Sequence, residues 1–259
     1  MGVDLVDITA KRAALTPNRI AFEDALTGRT LTYAQLEDRC ARAASVLASL
    51  GVGRGDCVAI LCRNRIEFFE IMFACAKLGA VLVPLNWRSP AAELSALIAD
   101  CSAKLLVFGA EDAEAAAVLG RVPLALDDGY EAALADASPL ATDHRWPGDA
   151  TWFLMYTSGT TGQPKGVIQT YQMSVVNAFH VGEAFDLRDG DTTLNFLPLF
   201  HSAGIQLVTI PTLIAGGTVL MLPGFDEARA LALMPRLDIF FGVPAVYQQL
   251  ALHPDFDSA

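Results

Sequence analysis

The sequence predicts an α/β protein built on mainly parallel sheet, and two observations carry that expectation. Helical and strand patterns alternate almost from end to end, the signature of helices layered on parallel strands. The 259 residues are 53% apolar and 18% charged, enough to bury a substantial core without a disulfide or metal staple. That length suits one large domain or two small ones. The composition excludes collagen-like, disordered and disulfide-scaffold classes.

Each element has its own signal. Thr32 and Gln35 stand at capping-box spacing before a helix, whose apolar face runs through Leu36, Cys40, Ala43, Leu47 and Leu50. Gly51 closes it, as expected at a left-handed C-terminal position. Val58–Cys62 reads as a short buried strand, Glu67–Leu78 as a helix ended by Gly79, and Ala80–Leu85 as β-rich. On that helix Phe68, Phe69, Met72 and Phe73 read as core. Ser89-Pro90 reads as an N-cap followed by proline at the first helical position, opening Ala91–Cys101. Lys104–Phe108 is the next strand. The Ala-, Asp- and Pro-rich stretch from Glu111 to Asp149 reads as a helix, a short strand and exposed loops. Trp152–Thr157 is a strong strand and Tyr171–Phe185 a helix. Thr218–Leu222 reads as a strand, Ala228–Leu233 as a helix, Ile239–Gly242 as a strand and Ala245–Leu252 as a final helix.

Charge and cysteine usage narrow the function classes. With 29 acidic and 18 basic side chains the formal net charge is -11, against a duplex nucleic-acid binder or a polybasic membrane-surface protein. Cys40, Cys57, Cys62, Cys75 and Cys101 form no C-x-x-C. Their odd number, without a basic and apolar leader, fits reduced thiols in a cytoplasmic protein. From Thr192 to Phe225 the one titratable residue is His201, and Gly204–Leu222 is long enough to span a bilayer. Gln206, Pro211, Gly216-Gly217 and the threonines at 209, 212 and 218 favour a buried helix, a break and a buried strand instead.

The chemistry concentrates in Tyr156-Thr157-Ser158-Gly159-Thr160-Thr161-Gly162-Gln163-Pro164-Lys165-Gly166. Glycines let backbone N–H groups approach an anion, hydroxyls add uncharged donors, and Lys165 adds one mobile positive charge. Together they make a cradle for phosphate oxygens. A Walker loop needs Gly-Lys-Ser/Thr running into a helix. Here Pro164 and Gly166 flank the lysine and oppose helix entry, so the expected geometry is strand–loop–strand. A Gly/Ser/Thr hairpin without a ligand is the competing interpretation. Ser158 stands in Thr-Ser-Gly, not in the Gly-x-Ser-x-Gly elbow of a hydrolase. His201, taken alone, is a hydrogen-bonded core residue more readily than a catalyst.

This run resembles the phosphate-loop signature of the adenylate-forming superfamily, which includes acyl- and aryl-CoA ligases, peptide-synthetase adenylation domains and luciferases. Supporting segments are Leu31-Thr32-Tyr33, Gly53–Leu61, Lys77–Ala80 leading to Val83-Pro84-Leu85-Asn86, Asn195–Gly204 around Leu197-Pro198-Leu199-Phe200-His201, and Gly242-Val243-Pro244. They resemble the CoA-ligase branch. The resemblance implies that a carboxylate attacks the α-phosphorus of Mg-ATP, and that a thiol, most often CoA, then displaces AMP. It assigns Thr157, Ser158, Gly159, Thr160, Thr161, Gly162 and Lys165 to the phosphates, with Thr160 near Mg²⁺ and Lys165 on a phosphate oxygen. Phe200, His201, Ser202, Gly204, Val243 and Pro244 would line the acyl pocket. His201 would orient the carboxylate or gate the thiol, so His201 and Lys165 become the catalytic candidates.

The implied architecture is the family's large N-terminal domain, two packed α/β sheets, incomplete in this chain. Residues 1–50 would open one interrupted subdomain, 51–190 would form the continuous subdomain with the phosphate loop, and 191–259 would return to the first. The family's Tyr-Gly-Thr-Glu type motif, its ribose-binding aspartate and its C-terminal adenylation lysine are not found. The resemblance therefore implies the first part of a longer ligase, inactive alone and prone to self-association through uncovered surface. A stand-alone phosphate-binding or interaction module and an unrelated nucleotide hydrolase are the alternatives. The acid itself, fatty or aryl, is left open.

Overall fold

The computed structural model describes residues 3–157 and 164–256. The chain begins with β1 (Asp4–Val6), α1 (Ile8–Leu15), β2 (Ile20–Asp24), β3 (Thr30–Thr32) and α2 (Tyr33–Ser49). It continues through β4 (Cys57–Leu61), α3 (Ile66–Leu78), β5 (Val81–Pro84), α4 (Ala91–Asp100) and β6 (Leu105–Phe108). Next come α5 (Ala113–Val118), β7 (Val122–Ala125), α6 (Tyr130–Asp136), β8 (Arg145–Pro147), β9 (Thr151–Thr157), β10 (Lys165–Thr170) and α7 (Tyr171–Phe185). The last part holds β11 (Thr192–Asn195), a π-helical stretch (Ala203–Thr209), α8 (Ile210–Ala215), β12 (Thr218–Met221), α9 (Glu227–Leu233) and α10 (Pro244–Leu252).

The strands form a six-stranded sheet, β10-β9-β5-β4-β6-β7, and a four-stranded sheet, β11-β12-β2-β3. All pairings are parallel except the edge pairs β10–β9 and β2–β3. A separate two-stranded sheet joins β1 to β8 antiparallel. The expected mainly parallel α/β architecture is therefore present. Strands β4, β5 and β6 are buried along almost their whole length, which is why they read as continuous apolar runs instead of alternating ones.

Helix α3 is the layer shared by the two sheets. Every residue from Ile66 to Lys77 is buried. Phe69 stacks on Phe22 of β2 at 5.3 Å, and Phe73 meets Trp152 of β9 at 5.7 Å. The Trp152 indole N–H donates to the Met72 carbonyl at 3.0 Å. Phe68, Phe69, Met72 and Phe73 are core, as their spacing implied. Burying α3 on all sides also buries its charges, and each has a partner. Glu70 accepts from Arg39 at 2.6 Å and from the Tyr130 hydroxyl at 2.9 Å. Glu67 pairs with Arg29 and Arg65. Lys77 donates to Asp7 at 2.6 Å and to Glu37 at 2.8 Å.

The local signals hold where a single residue decides them. Thr32 and Gln35 form a reciprocal capping box on α2, and Gly51 and Gly79 take left-handed backbone at φ 88° and 69°. Two expectations are corrected. Pro90, with ψ 152°, is itself the N-cap of α4 and not its first helical residue. Asn86 to Ser89 close a turn of their own, the Ser89 N–H donating to the Asn86 carbonyl, and this moves the helix start by one residue. Ile239–Gly242 is not a strand but a single bridge from Ile239 to Thr193. There the Asp238 carboxylate accepts from the Thr192 N–H at 2.8 Å and the Ile239 N–H donates to the Thr192 carbonyl, and four residues on, Val243 is already the N-cap of α10. Strand β11, rich in threonine, was not anticipated. Among the described residues no helix is long and apolar enough to cross a membrane, and all five cysteines are free thiols.

Candidate functional site

Strand β9 leads directly into the hydroxyl-rich run, and β10 leads out of it. Thr157 and Lys165 are directly paired across the antiparallel ladder, so the two ends of the run meet. A strand on each side of the run agrees with Pro164 and Gly166 opposing a helix there. Ser158, Gly159, Thr160, Thr161 and Gly162 lie outside the described residues. Thr157 and Lys165 are exposed at the sheet's edge.

The ends of the run open onto a cleft of about 720 Å³. Tyr156, Thr157 and Pro164 line one part of it, Pro84 and Asn86 after β5 another, and Glu93, Ala96 and Leu97 of α4 a third. Phe200 and His201 complete the wall. The Tyr156 hydroxyl donates to Asp100 at 2.5 Å. Burial, with that carboxylate second, pushes the Tyr156 phenol pKa up. His201 stands partly exposed at the rim, and its imidazole pKa is lowered by loss of water first and by the Arg88 cation second.

The segment carrying Phe200 and His201 is held by buried amides. Asn195, fully buried at the end of β11, donates to the Gly204 carbonyl at 2.8 Å and the Thr209 hydroxyl at 2.7 Å, and accepts from the Leu197 N–H at 3.1 Å. Asn64 donates to the Leu197 carbonyl at 2.8 Å, and the His201 N–H closes a turn on Pro198 at 3.1 Å. Gly204 fits because a Cβ there would stand 2.6 Å from the Leu197 carbonyl oxygen. The polar groups inside this apolar stretch thus pin the turn that presents His201.

The remaining acyl-pocket candidates fall elsewhere. Ser202 is exposed and precedes the π-helical stretch without a side-chain cap. Val243 lines a neighbouring pocket of about 150 Å³ together with Trp87, Arg88, Leu197 and Pro198, and Pro244 opens α10 beside it. Trp87, which lines the smaller pocket, meets Phe200, which lines the cleft, edge-on at 6.0 Å. Trp87, Arg88 and Glu93 carry no sequence signal as site residues. A tryptophan and an arginine between strand and helix have no periodic signal, and Glu93 reads as a solvated helix-start acid. The one group of potential metal ligands among the described residues, Asp7, Glu37 and His144, lies elsewhere. Its two carboxylates already hold the Lys77 ammonium.

A protein-family model described as AMP-binding enzyme matches residues 9–259. The feruloyl-CoA synthase of an Amycolatopsis species is 39% identical over 251 residues, covering 96% of this chain and 50% of that protein. The long-chain-fatty-acid–CoA ligase FadD13 of Mycobacterium tuberculosis is 34% identical over 256 residues, covering 95% and 51%. The structure is similar to the inhibitor-bound N-terminal domain of FACL13 from Mycobacterium tuberculosis, with TM-score 0.88, 33% identity, and 96% of this chain on 65% of that one. ATP-bound MatB from Rhodopseudomonas palustris matches with TM-score 0.84 and 30% identity over 96% of this chain and 52% of that one. The chain spans about half the length of the curated relatives it matches.

Proposed function

The chain belongs to the AMP-binding enzyme family, and from that premise we propose that it is the N-terminal part of an ATP-dependent acyl-CoA ligase. In the proposed reaction a carboxylate oxygen attacks the α-phosphorus of ATP, and pyrophosphate leaves, giving an acyl-adenylate. The thiolate of CoA then attacks the acyl carbon and expels AMP. The first step needs little proton transfer, because a carboxylate is already a nucleophile. What it needs is in-line placement and donors aimed at the phosphates.

The observation that carries this proposal is the cleft itself, where both ends of the hydroxyl-rich run face the same space as Phe200 and His201. Thr157 and the run up to Gly162 supply N–H and hydroxyl donors to the β- and γ-phosphates, and Lys165 supplies a cation. Neutral donors and one lysine suit a polyanion that arrives with its own Mg²⁺. Thr160 is the proposed contact to that ion, whose chemistry is to neutralise phosphate charge. His201, kept neutral, offers one N–H to orient the carboxylate. The apolar side chains around Phe200 suit a fatty or aryl acid. The relatives named for ferulate and for long-chain fatty acids support both classes.

Carboxylate-dependent ATP–pyrophosphate exchange, with ferulate and a long-chain fatty acid as probes, tests the proposal in the longer protein that carries this chain. His201→Ala lowers the exchange rate by roughly 10²-fold, the cost of losing alignment. Lys165→Met raises the KM for ATP by roughly ten-fold, the loss of one charge-assisted hydrogen bond. An unchanged rate in His201→Ala removes that residue from the site.

A further inference from the structure

Beside the cleft Asp112, Arg63 and Trp87, which the proposed reaction does not use, form a chain of contacts that ends on Phe200 and His201. Asp112, buried to 7% exposure, accepts from Arg63 through both its oxygens at 3.2 Å. The Arg63 guanidinium lies 3.6 Å above the Trp87 ring. Trp87 meets Phe200 at 6.0 Å in an edge-on arrangement, and Phe200 contacts the His201 ring at 4.6 Å. Arg88 stacks on the same pair, 4.7 Å from the Trp87 centroid and 5.6 Å from that of Phe200.

A cation held against an aromatic face by a buried carboxylate fixes the ring more firmly than packing alone. Phe200 and His201 sit on a turn between β11 and the π-helical stretch, pinned through the backbone by Asn195 and Asn64. Those amides fix the main chain and leave the side-chain rings to be fixed by their neighbours. The Trp87 ring is the neighbour that Phe200 meets from the β5–α4 segment, and the Arg63–Asp112 pair holds it from behind.

We propose that Trp87 is a positioning residue, braced by Arg63 and Asp112, which sets the Phe200–His201 ring pair at the rim of the cleft. The proposal rests on His201 belonging to the functional site, and it assigns roles to three residues outside the hydroxyl-rich run. Trp87 acts through Phe200 and touches no reacting atom. It keeps water from the inner side of His201 and keeps the Arg88 cation near. Glu93 and Tyr156 are the other titratable side chains lining the cleft, and none of the three variants below alters them.

The test uses the 259-residue chain and needs no activity. The sequence has four histidines, His144, His180, His201 and His253, so imidazole NMR resolves each titration, with His201→Gln assigning the signal. Trp87→Ala should move the His201 midpoint upward, because more water and a released Arg88 both favour the imidazolium. The other three midpoints should stay in place, and Trp87→Phe should restore most of the shift. Arg63→Gln, a partly exposed position, should move it in the same direction by less and covers the case in which Trp87→Ala does not fold. A His201 midpoint unchanged in the folded variants overturns the proposal. An unchanged exchange rate in His201→Ala would overturn the functional role instead, leaving the titration result standing.

Discussion

At His201 the surroundings decide the protonation state. Water loss and the Arg88 cation both lower its pKa, so at neutral pH the imidazole is uncharged, with one donor and one acceptor nitrogen. The same reasoning separates the five thiols. Burial pushes Cys40, Cys62 and Cys75 up. Cys101 is brought down to about 7, chiefly because the Cys57 thiol hydrogen-bonds to it. Cys101 is also half-exposed, so alkylation by iodoacetamide should reach it first, with a rate that rises as pH passes through that value. Peptide mass mapping checks this, and labelling spread evenly over the five cysteines contradicts it. No spacing rule pairs Cys57 with Cys101. Their proximity comes from the β4–β6 pairing, which sets the Lys104 N–H on the Cys57 carbonyl. Residues such as Gly51, Thr32 and Gln35 were legible because their reasons are local. Trp87, Arg63 and Asp112 were not, because each acquires its partner only through the sheet.

At the scale of elements, α3 shows where sequence patterns stop. Its apolar residues announced a buried helix, yet three of its charged residues are buried as well. Two of them find partners far along the chain: Arg39 is 31 residues from Glu70, and Asp7 is 70 from Lys77. Burial raises the Glu70 pKa and Arg39 opposes it, so the carboxylate depends on that guanidinium. Arg39→Ala should destabilise the chain by about 3–5 kcal/mol, since it strands a buried charge. Urea unfolding measures this, and a loss below about 1 kcal/mol, typical of a surface pair, contradicts it. The β9–β10 pair behaves differently. Pro164 and Gly166 sit on either side of Lys165 and forbid a helix there, and that local rule foretold the return strand. After β10, helices α7, α9 and α10 and strand β12 followed their patterns, and two segments did not. Strand β11 is mostly threonine and asparagine, and Ile239 to Gly242 keeps a single bridge, to Thr193, before α10 begins.

For the whole molecule, the exposed apolar side chains decide how the chain behaves in solution. Helix α7 turns Met173, Val176 and Phe179 outward, and β10 beside it exposes Val167 and Ile168. Leu252 near the end of α10 is 85% exposed. Apolar groups grouped in this way favour association, so the isolated chain should self-associate as concentration rises. Sedimentation velocity reads this directly, and a monodisperse monomer throughout the range contradicts it. The fold class was readable from the alternation of elements, because helix and strand periods are set locally. The cleft was readable in part. The hydroxyl-rich run and His201 carry motif signals, while the wall between them includes Asn86, Glu93 and Leu97, which tertiary structure alone brings together.

In the proposed function this chain supplies the phosphate-gripping strand pair and the acid-orienting rim of an acyl-CoA ligase. Product analysis tests it most directly: the longer protein is given ATP, Mg²⁺, CoA and a fatty or aryl acid, and its nucleotide products are identified. AMP and pyrophosphate should appear in step with a new thioester, and none of these from the 259 residues alone. ADP and phosphate as products, or thioester formed by the 259-residue chain unaided, would contradict it.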